Sequence, residues 1–166
     1  MMLDFKKVYL EAKPKVFRYL YYQCGNKSLA EELTQETFYQ VFLSRKSFKG
    51  NSNEITWVMA VARNVYLKDY NRNRLLSDHE VNVDRLTASS KEEPDSILLT
   101  KEAGEEILAI LQELPENYRS VIIWREIEGL AFEDIGKLLH KSPSTVRVLL
   151  FRAKKRFREL YFKKYT

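Results

Sequence analysis

Apolar positions recur every three or four residues along most of the chain, and no segment alternates in the way a strand would, so the pattern predicts helices throughout. Residues 3–24 carry Phe5, Val8, Tyr9, Ala12, Val16, Tyr19 and Leu20 at helical spacing. Pro14 interrupts this stripe, so the helix is expected either to begin near Lys13 or to bend there. Gly25–Lys27 reads as a turn, and Ser28 with Glu31 three residues later reads as a capping box for a second helix, Leu29–Leu43. Ala30, Leu33, Phe38, Val41 and Phe42 are its inward positions, and Gln35, Glu36, Tyr39 and Gln40 face outward. A polar loop, Phe48–Asn53, precedes a third helix, Glu54–Asn71, whose buried side is Trp57, Val58, Val61, Ala62 and Val65.

The period is then lost. Residues 75–97 are rich in Asp, Glu, Ser and Asn and read as a flexible acidic linker. Helical spacing resumes over Leu98–Leu114, with Ala103, Ile107, Ile110, Leu111 and Leu114 in line. Pro115 permits a new helix that ends by Gly129. Two closely spaced helices follow. Ala131–Leu139 repeats Phe132, Ile135, Leu138 and Leu139, and His140 with Lys141 breaks the pattern. Ser142 is an N-cap and Pro143 a first helical residue for a last helix striped by Val146, Leu149/Leu150, Ala153, Phe157 and Leu160. The expectation is an all-α chain of two small helical domains, residues 1–74 and 98–166, joined by the linker, the second domain containing a helix-turn-helix.

Charge changes this picture more than composition does. The formal net charge is only +5 over 166 residues. Yet residues 1–74 hold 13 basic and 7 acidic side chains, and residues 141–166 hold 9 and 1, while the stretch between them is acidic. Two separated basic blocks suit a polyanion held at two places. An anionic membrane surface fits less well, because the basic helices lack a broad apolar face. In the last helix, Ser144, Thr145 and Arg147 lie where a helix-turn-helix meets base edges, and Arg152, Lys155 and Arg156 lie further along. A two-helix hairpin with a solvated basic side is the competing reading. In the first domain, a loop of amides beside Arg63, Asn64, Lys68 and Arg72 suits a single strand: amides pair with base edges, cations hold phosphates, and Phe48, Trp57, Tyr66 and Tyr70 are candidates to stack on bases. Core packing is the competing role for Trp57.

Little supports catalysis. There is no glycine-rich nucleotide loop and no metal-ligand spacing, His79 and His140 stand alone, and the carboxylates are scattered. Cys24 is the only cysteine, so no intrachain disulfide can form. No signal-peptide pattern and no run of 18 apolar residues is present, which gives the expectation of a cytoplasmic protein that is not an integral membrane protein.

Two local patterns together resemble a known family. Ala30-Glu-Glu-Leu-Thr-Gln-Glu-Thr-Phe38, Phe48-Lys-Gly-Asn51, Thr56-Trp57, Ala62-Arg-Asn-Val65 and Asp69-Tyr70 resemble the second conserved region of bacterial sigma factors. Leu114-Pro115, Glu126, Gly129-Leu130, Glu133-Asp-Ile-Gly136, Ser142-Pro-Ser-Thr-Val-Arg147 and Phe151-Arg-Ala153 resemble their fourth region. The chain resembles the small two-domain extracytoplasmic-function (ECF) group of the sigma-70 family. The resemblance implies a non-catalytic subunit, without cofactor or metal, that binds core RNA polymerase, directs it to specific promoters and helps open the −10 element. It implies polymerase docking around Leu33, Gln35, Glu36 and Thr37. It implies capture of the −10 strand by Phe48, Lys49, Asn51 and Asn53, supported by Arg63, Asn64, Lys68 and Arg72. It implies reading of the −35 duplex by Ser144, Thr145 and Arg147, with Arg152, Lys155 and Arg156 on the backbone. It also implies an anti-sigma partner, in many relatives membrane-bound. Two departures stand out: Val148-Leu149 where Ser-Arg is common, which widens the apolar face, and Thr34 where an aliphatic residue is frequent. The alternative is a stand-alone helix-turn-helix regulator that needs no polymerase.

Overall fold

The computed structural model describes residues 2–77 and 101–166. Among these the regular structure is helical throughout, and they fall into two compact units. The linker expected over 75–97 lies outside the described residues from position 78, as does the expected helix start at 98–100. Leu75–Ser77 continue the preceding helix instead of opening the linker.

The first unit packs α1 (Phe5–Cys24), α2 (Lys27–Leu43) and α3 (Glu54–Ser77) each against the other two. Asp4 caps α1 by accepting the Lys7 amide at 3.3 Å. The helix runs through Pro14 without a restart. Pro14 and Leu10, the residue whose carbonyl loses its partner, both face solvent, where that carbonyl is open to hydration. Val8, Ala12, Val16, Tyr19 and Leu20 are fully buried. Gly25 ends α1 at φ 70°, a left-handed conformation that suits glycine, and donates to the Tyr21 carbonyl at 2.7 Å.

Helix α2 begins two residues earlier than its apolar pattern indicates. Asn26 is the cap, accepting the Leu29 amide at 3.0 Å, so Ser28 lies inside the first turn and caps nothing. Ala30, Leu33, Phe38 and Val41 are buried as expected. Phe42 is 43% exposed, an exception to the expected inward stripe, and meets the Phe5 ring edge-on at 5.3 Å. Thr34 is buried without penalty, because its hydroxyl donates to the Ala30 carbonyl at 2.7 Å. A short 3-10 turn, Arg45–Ser47, leads to the loop before α3.

The second unit comprises α4 (Lys101–Glu113), α5 (Glu116–Ile122), α6 (Phe132–Leu139) and α7 (Pro143–Tyr165). Its core is Ile110, Leu111, Val121, Ile123, Trp124, Ile135, Val146, Leu150 and Ala153. Helix α5 widens into a π turn over Ile123–Ile127, closed by the Glu128 amide donating to the Ile123 carbonyl at 3.0 Å. This turn carries no signature in the apolar pattern. Helix α7 is regular to Tyr165. Its far end is tied to α4 by Tyr161 donating to Glu106 at 3.3 Å and by Lys164 with Glu113 at 3.4 Å. The adjacent Glu106 carboxylate repels the phenolate form and accepts a hydrogen bond from the neutral hydroxyl, which holds the Tyr161 hydroxyl above its ordinary pKa.

The α6–α7 turn is set by close backbone approach. His140 adopts the left-handed conformation at φ 56°, and the Lys141 amide donates to the Gly136 carbonyl at 2.9 Å. A Cβ on Gly136 would sit 2.5 Å from the Lys141 carbonyl oxygen. Gly136→Ala is therefore expected to lower the unfolding free energy by about 1–3 kcal/mol, the cost of overpacking a rigid contact. Denaturant titration checks this, and an unchanged midpoint would refute it.

Candidate nucleic-acid and docking interfaces

In the first unit the buried stripe of α2 aims its polar neighbours outward. Leu33, Thr34, Thr37 and Phe38 point into the unit, which leaves Gln35 and Glu36 on the surface. Thr37, expected at the docking surface, is fully buried, and its hydroxyl donates to the Leu33 carbonyl at 2.7 Å. Leu33 is also buried, at the floor of a groove between α2 and α3. Both residues thus shape the surface from beneath. Glu36 is steadied by Gln40, whose amide donates to its carboxylate at 2.9 Å.

That groove joins two sets of residues that sequence reasoning treated separately. Glu32 and Glu36 line it from α2, and Asn64, Lys68 and Arg72 line it from α3. Asn64 and Lys68 are exposed. Arg72 is held at one end by Asp69, 3.2 Å away, with its own side chain 71% exposed. Arg63 is half buried and lies outside this lining. Glu32 is a groove residue that the sequence reading missed; its position one turn before Glu36 is the signal that could have found it.

The loop before α3 divides between anchor and contact residues. Phe48 is buried, with its ring edge against Trp57 at 5.5 Å, so it secures the loop and does not present a face to a base. Asn53 caps α3, its side-chain oxygen accepting the Thr56 amide at 2.7 Å and its carbonyl accepting the Trp57 amide at 3.1 Å. Lys49 and Asn51 are exposed at the tip, where Gly50 turns at φ 76°. Among the aromatic residues considered for stacking, Tyr66 is buried, Trp57 is half buried and Tyr70 is exposed.

In the second unit Ser142 caps α7 by accepting the Thr145 amide at 3.2 Å. Its hydroxyl lies 3.2 Å from that of Ser144 and 2.8 Å from that of Thr145, which gathers three hydroxyls at the first turn. Ser144, Thr145 and Arg147 are exposed together there, and the Arg147 guanidinium lies over the Phe132 ring, 4.8 Å from its centre. Further along, the cations separate into two groups. Lys154 pairs with Glu126 at 2.6 Å, Lys164 pairs with Glu113, and Arg156 pairs with Glu159 at 3.3 Å. Arg152, Lys155 and Arg158 are exposed, with no carboxylate partner among the described residues. Arg158 was not expected as a contact, and Arg156 is more engaged than expected. Val148 and Phe151 were also missed as contact candidates. They stand 50% and 66% exposed beside Arg147 and Arg152. Their spacing of three is the signal, since it places both on one face. Leu149, the other departure from the family pattern, is half buried.

Among the described residues no group of His, Cys, Asp and Glu could hold a metal ion, and no helix is long and apolar enough to cross a membrane.

Residues 8–75 match the family described as Sigma-70 region 2, and residues 104–157 match Sigma-70, region 4. The ECF RNA polymerase sigma factor SigE of Mycolicibacterium smegmatis is 31% identical over 147 residues, which cover 87% of this chain but 56% of that protein. The ECF RNA polymerase sigma-E factor of Escherichia coli is 30% identical over 135 residues, covering 74% of this chain and 69% of its own. Among solved structures, the sigma factor RpoE in complex with the anti-sigma factor NepR from Bartonella quintana has the same fold. It aligns with a TM-score of 0.76 at 22% identity, over 98% of this chain and 99% of its own. Both matched regions, in order and on the two helical units just described, place the function with transcription initiation and not with catalysis: the chain belongs to the ECF group of the sigma-70 family of RNA polymerase sigma factors.

Proposed function

We propose that this sigma factor divides promoter recognition between its two units, with residues 1–74 serving polymerase and the −10 element and residues 98–166 serving the −35 element. The observation that carries the first half is the α2–α3 groove, where Glu32 and Glu36 face a wall bearing Asn64, Lys68 and Arg72. Acidic residues on α2 suit a basic surface of core polymerase. Amide and cationic residues on α3 suit an exposed non-template strand. Lys49 and Asn51 extend that strand site to the loop tip, while Phe48 and Asn53 hold the loop in shape. Reading a base on its pairing edge requires taking it out of the stack, at a cost of a few kcal/mol. Docking on polymerase supplies the binding energy that offsets it.

For the −35 duplex, α7 enters the major groove by its first turns. Ser144, Thr145 and Arg147 reach base edges or adjacent phosphates, Arg152 and Lys155 hold the backbone, and Val148 and Phe151 offer apolar contact to thymine methyls. Arg158 joins the backbone contacts. Arg156 contributes less, because Glu159 competes for it. The RpoE relative is seen with an anti-sigma factor, which supports a protein partner of that kind here. The working place of such a factor is the cytoplasm, with a membrane-bound partner able to hold it near the membrane.

Footprinting with and without core polymerase tests the whole reading: protection is expected only, or far more strongly, with polymerase. A strong symmetric footprint by the protein alone would replace this reading with a stand-alone regulator. Glu36→Lys is expected to weaken core binding by on the order of 10–100-fold, with Glu31→Lys on the exposed side of α2 as the charge control. Equal affinities of the two variants in a direct binding assay would remove Glu36 from the docking site. Arg147→Ala is expected to cost about 1–3 kcal/mol at particular −35 base pairs, whereas Lys155→Ala weakens all sequences alike and lowers the salt slope by about 1. Binding of a set of −35 variants at several salt concentrations separates the two effects.

A further inference from the structure

We propose that Phe132 is a positioning residue for −35 recognition: its ring is the shelf on which Arg147 is held ready for a base pair. The inference rests on the reading of Arg147 as a base-contacting residue and goes beyond it by naming the group that tunes it. Phe132 opens α6, half buried at the mouth of the helix-turn-helix. Two guanidinium groups lie over its ring, that of Arg125 at 4.1 Å from the centre and that of Arg147 at 4.8 Å. They are not equivalent. Arg125 is half buried and also donates to the Leu130 carbonyl at 3.0 Å, so it is anchored where it lies over the ring. Arg147 is exposed on the first turns of α7 and, among the described residues, has no carboxylate beside it.

The chemistry of that contact differs from an ion pair in one useful respect. A ring attracts a cation but offers no lone pairs in competition with a nucleobase. The N–H donors of Arg147 stay open for the paired acceptors of a guanine, whereas a carboxylate, as Glu159 does for Arg156, would take them up. The ring also restricts a long side chain before DNA arrives, so less rotamer freedom is lost when a bidentate contact forms. Loss of the ring should therefore reduce discrimination at the base pairs that Arg147 reads and leave the general affinity for DNA nearly intact.

The test uses the full chain with core polymerase on promoters varied singly at each −35 base pair, with Arg147→Ala, Phe132→Leu, Phe132→Tyr and the double variant Phe132→Leu/Arg147→Ala. Phe132→Leu is expected to lose about two- to five-fold of discrimination, at the same base pairs as Arg147→Ala. Phe132→Tyr, which keeps the ring, should match the parent. In the Arg147→Ala background Phe132→Leu should remove no further base-specific discrimination. The proposal is overturned if Phe132→Leu lowers every promoter equally while Arg147→Ala remains base-specific, or if Tyr performs no better than Leu. A uniform effect of Arg147→Ala itself overturns the base-reading role first, and the shelf with it. Thermal melting of each variant separates these outcomes from unfolding. Should Phe132→Leu melt early, Phe132→Met makes the same comparison with an unbranched apolar side chain.

Discussion

Burial of one stripe on each functional helix is what aims the residues beside it. A helix turns about 100° per residue, so once Leu33, Thr34, Thr37 and Phe38 are inside, Gln35 and Glu36 have only the surface left to them. The same constraint operates on α7. Val146, Leu150 and Ala153 are buried against the rest of the second unit, and this sets the direction of Ser144, Thr145, Arg147, Val148 and Phe151. Functional side chains on such helices need few contacts of their own to be placed, because the core positions them through the backbone. The Gly136–Lys141 approach extends this constraint around the corner, since it fixes where α7 starts relative to α6.

Charge on α7 is divided according to what lies opposite. Lys154 and Lys164 face acidic residues of neighbouring elements, Glu126 and Glu113, and help tie the helix down. These pairs are half exposed and individually weak, of the order of 0–1 kcal/mol. Their larger consequence is to leave the outward cations of α7 without a carboxylate among the described residues, Arg147, Arg152, Lys155, Arg158 and Lys163, available to a polyanion. The net charge of a basic segment therefore overstates its capacity for DNA. The first unit follows the same rule, with Arg72 partly engaged by Asp69 while Lys68 stands exposed in the groove.

Much of the helical framework was legible in the sequence because one periodicity governs both the apolar stripe and the helix. The Ser142 cap and the α6–α7 break were also legible, since they depend on local residue chemistry. What depended on partners distant in sequence was not. Phe42 and Phe38 look alike in the pattern of α2, yet only Phe38 is covered, against Tyr9 with ring centres 4.9 Å apart. Thr37 looks polar enough for a surface until the Leu33 carbonyl takes its hydroxyl. Phe48 looks like a stacking residue in a polar loop until Trp57 is placed beside it. Pro14 looks like a break until its place off the apolar stripe, on the exposed side of α1, is weighed against the lost hydrogen bond. The π turn at Ile123–Ile127 leaves no trace in the spacing, and the shared groove of Glu36 and Lys68 exists only once α2 and α3 are packed.

The arithmetic of phosphate contacts explains why a chain of this design works on a larger assembly. Each neutralised phosphate of duplex DNA contributes about 0.9 to the slope of log affinity against log salt. Arg152, Lys155 and Arg158, if each holds one phosphate, produce a fall of roughly 40-fold between 50 and 200 mM salt. Proteins that grip six to ten phosphates lose about 10³–10⁵ over the same range, a measure of how much of their affinity is electrostatic. The smaller grip is not enough to hold a duplex firmly in physiological salt, and the strand capture proposed for the first unit carries the added cost of unstacking. On the proposed reading, specificity then comes from a few base contacts, such as that assigned to Arg147, while the binding energy comes from docking of the first unit on polymerase.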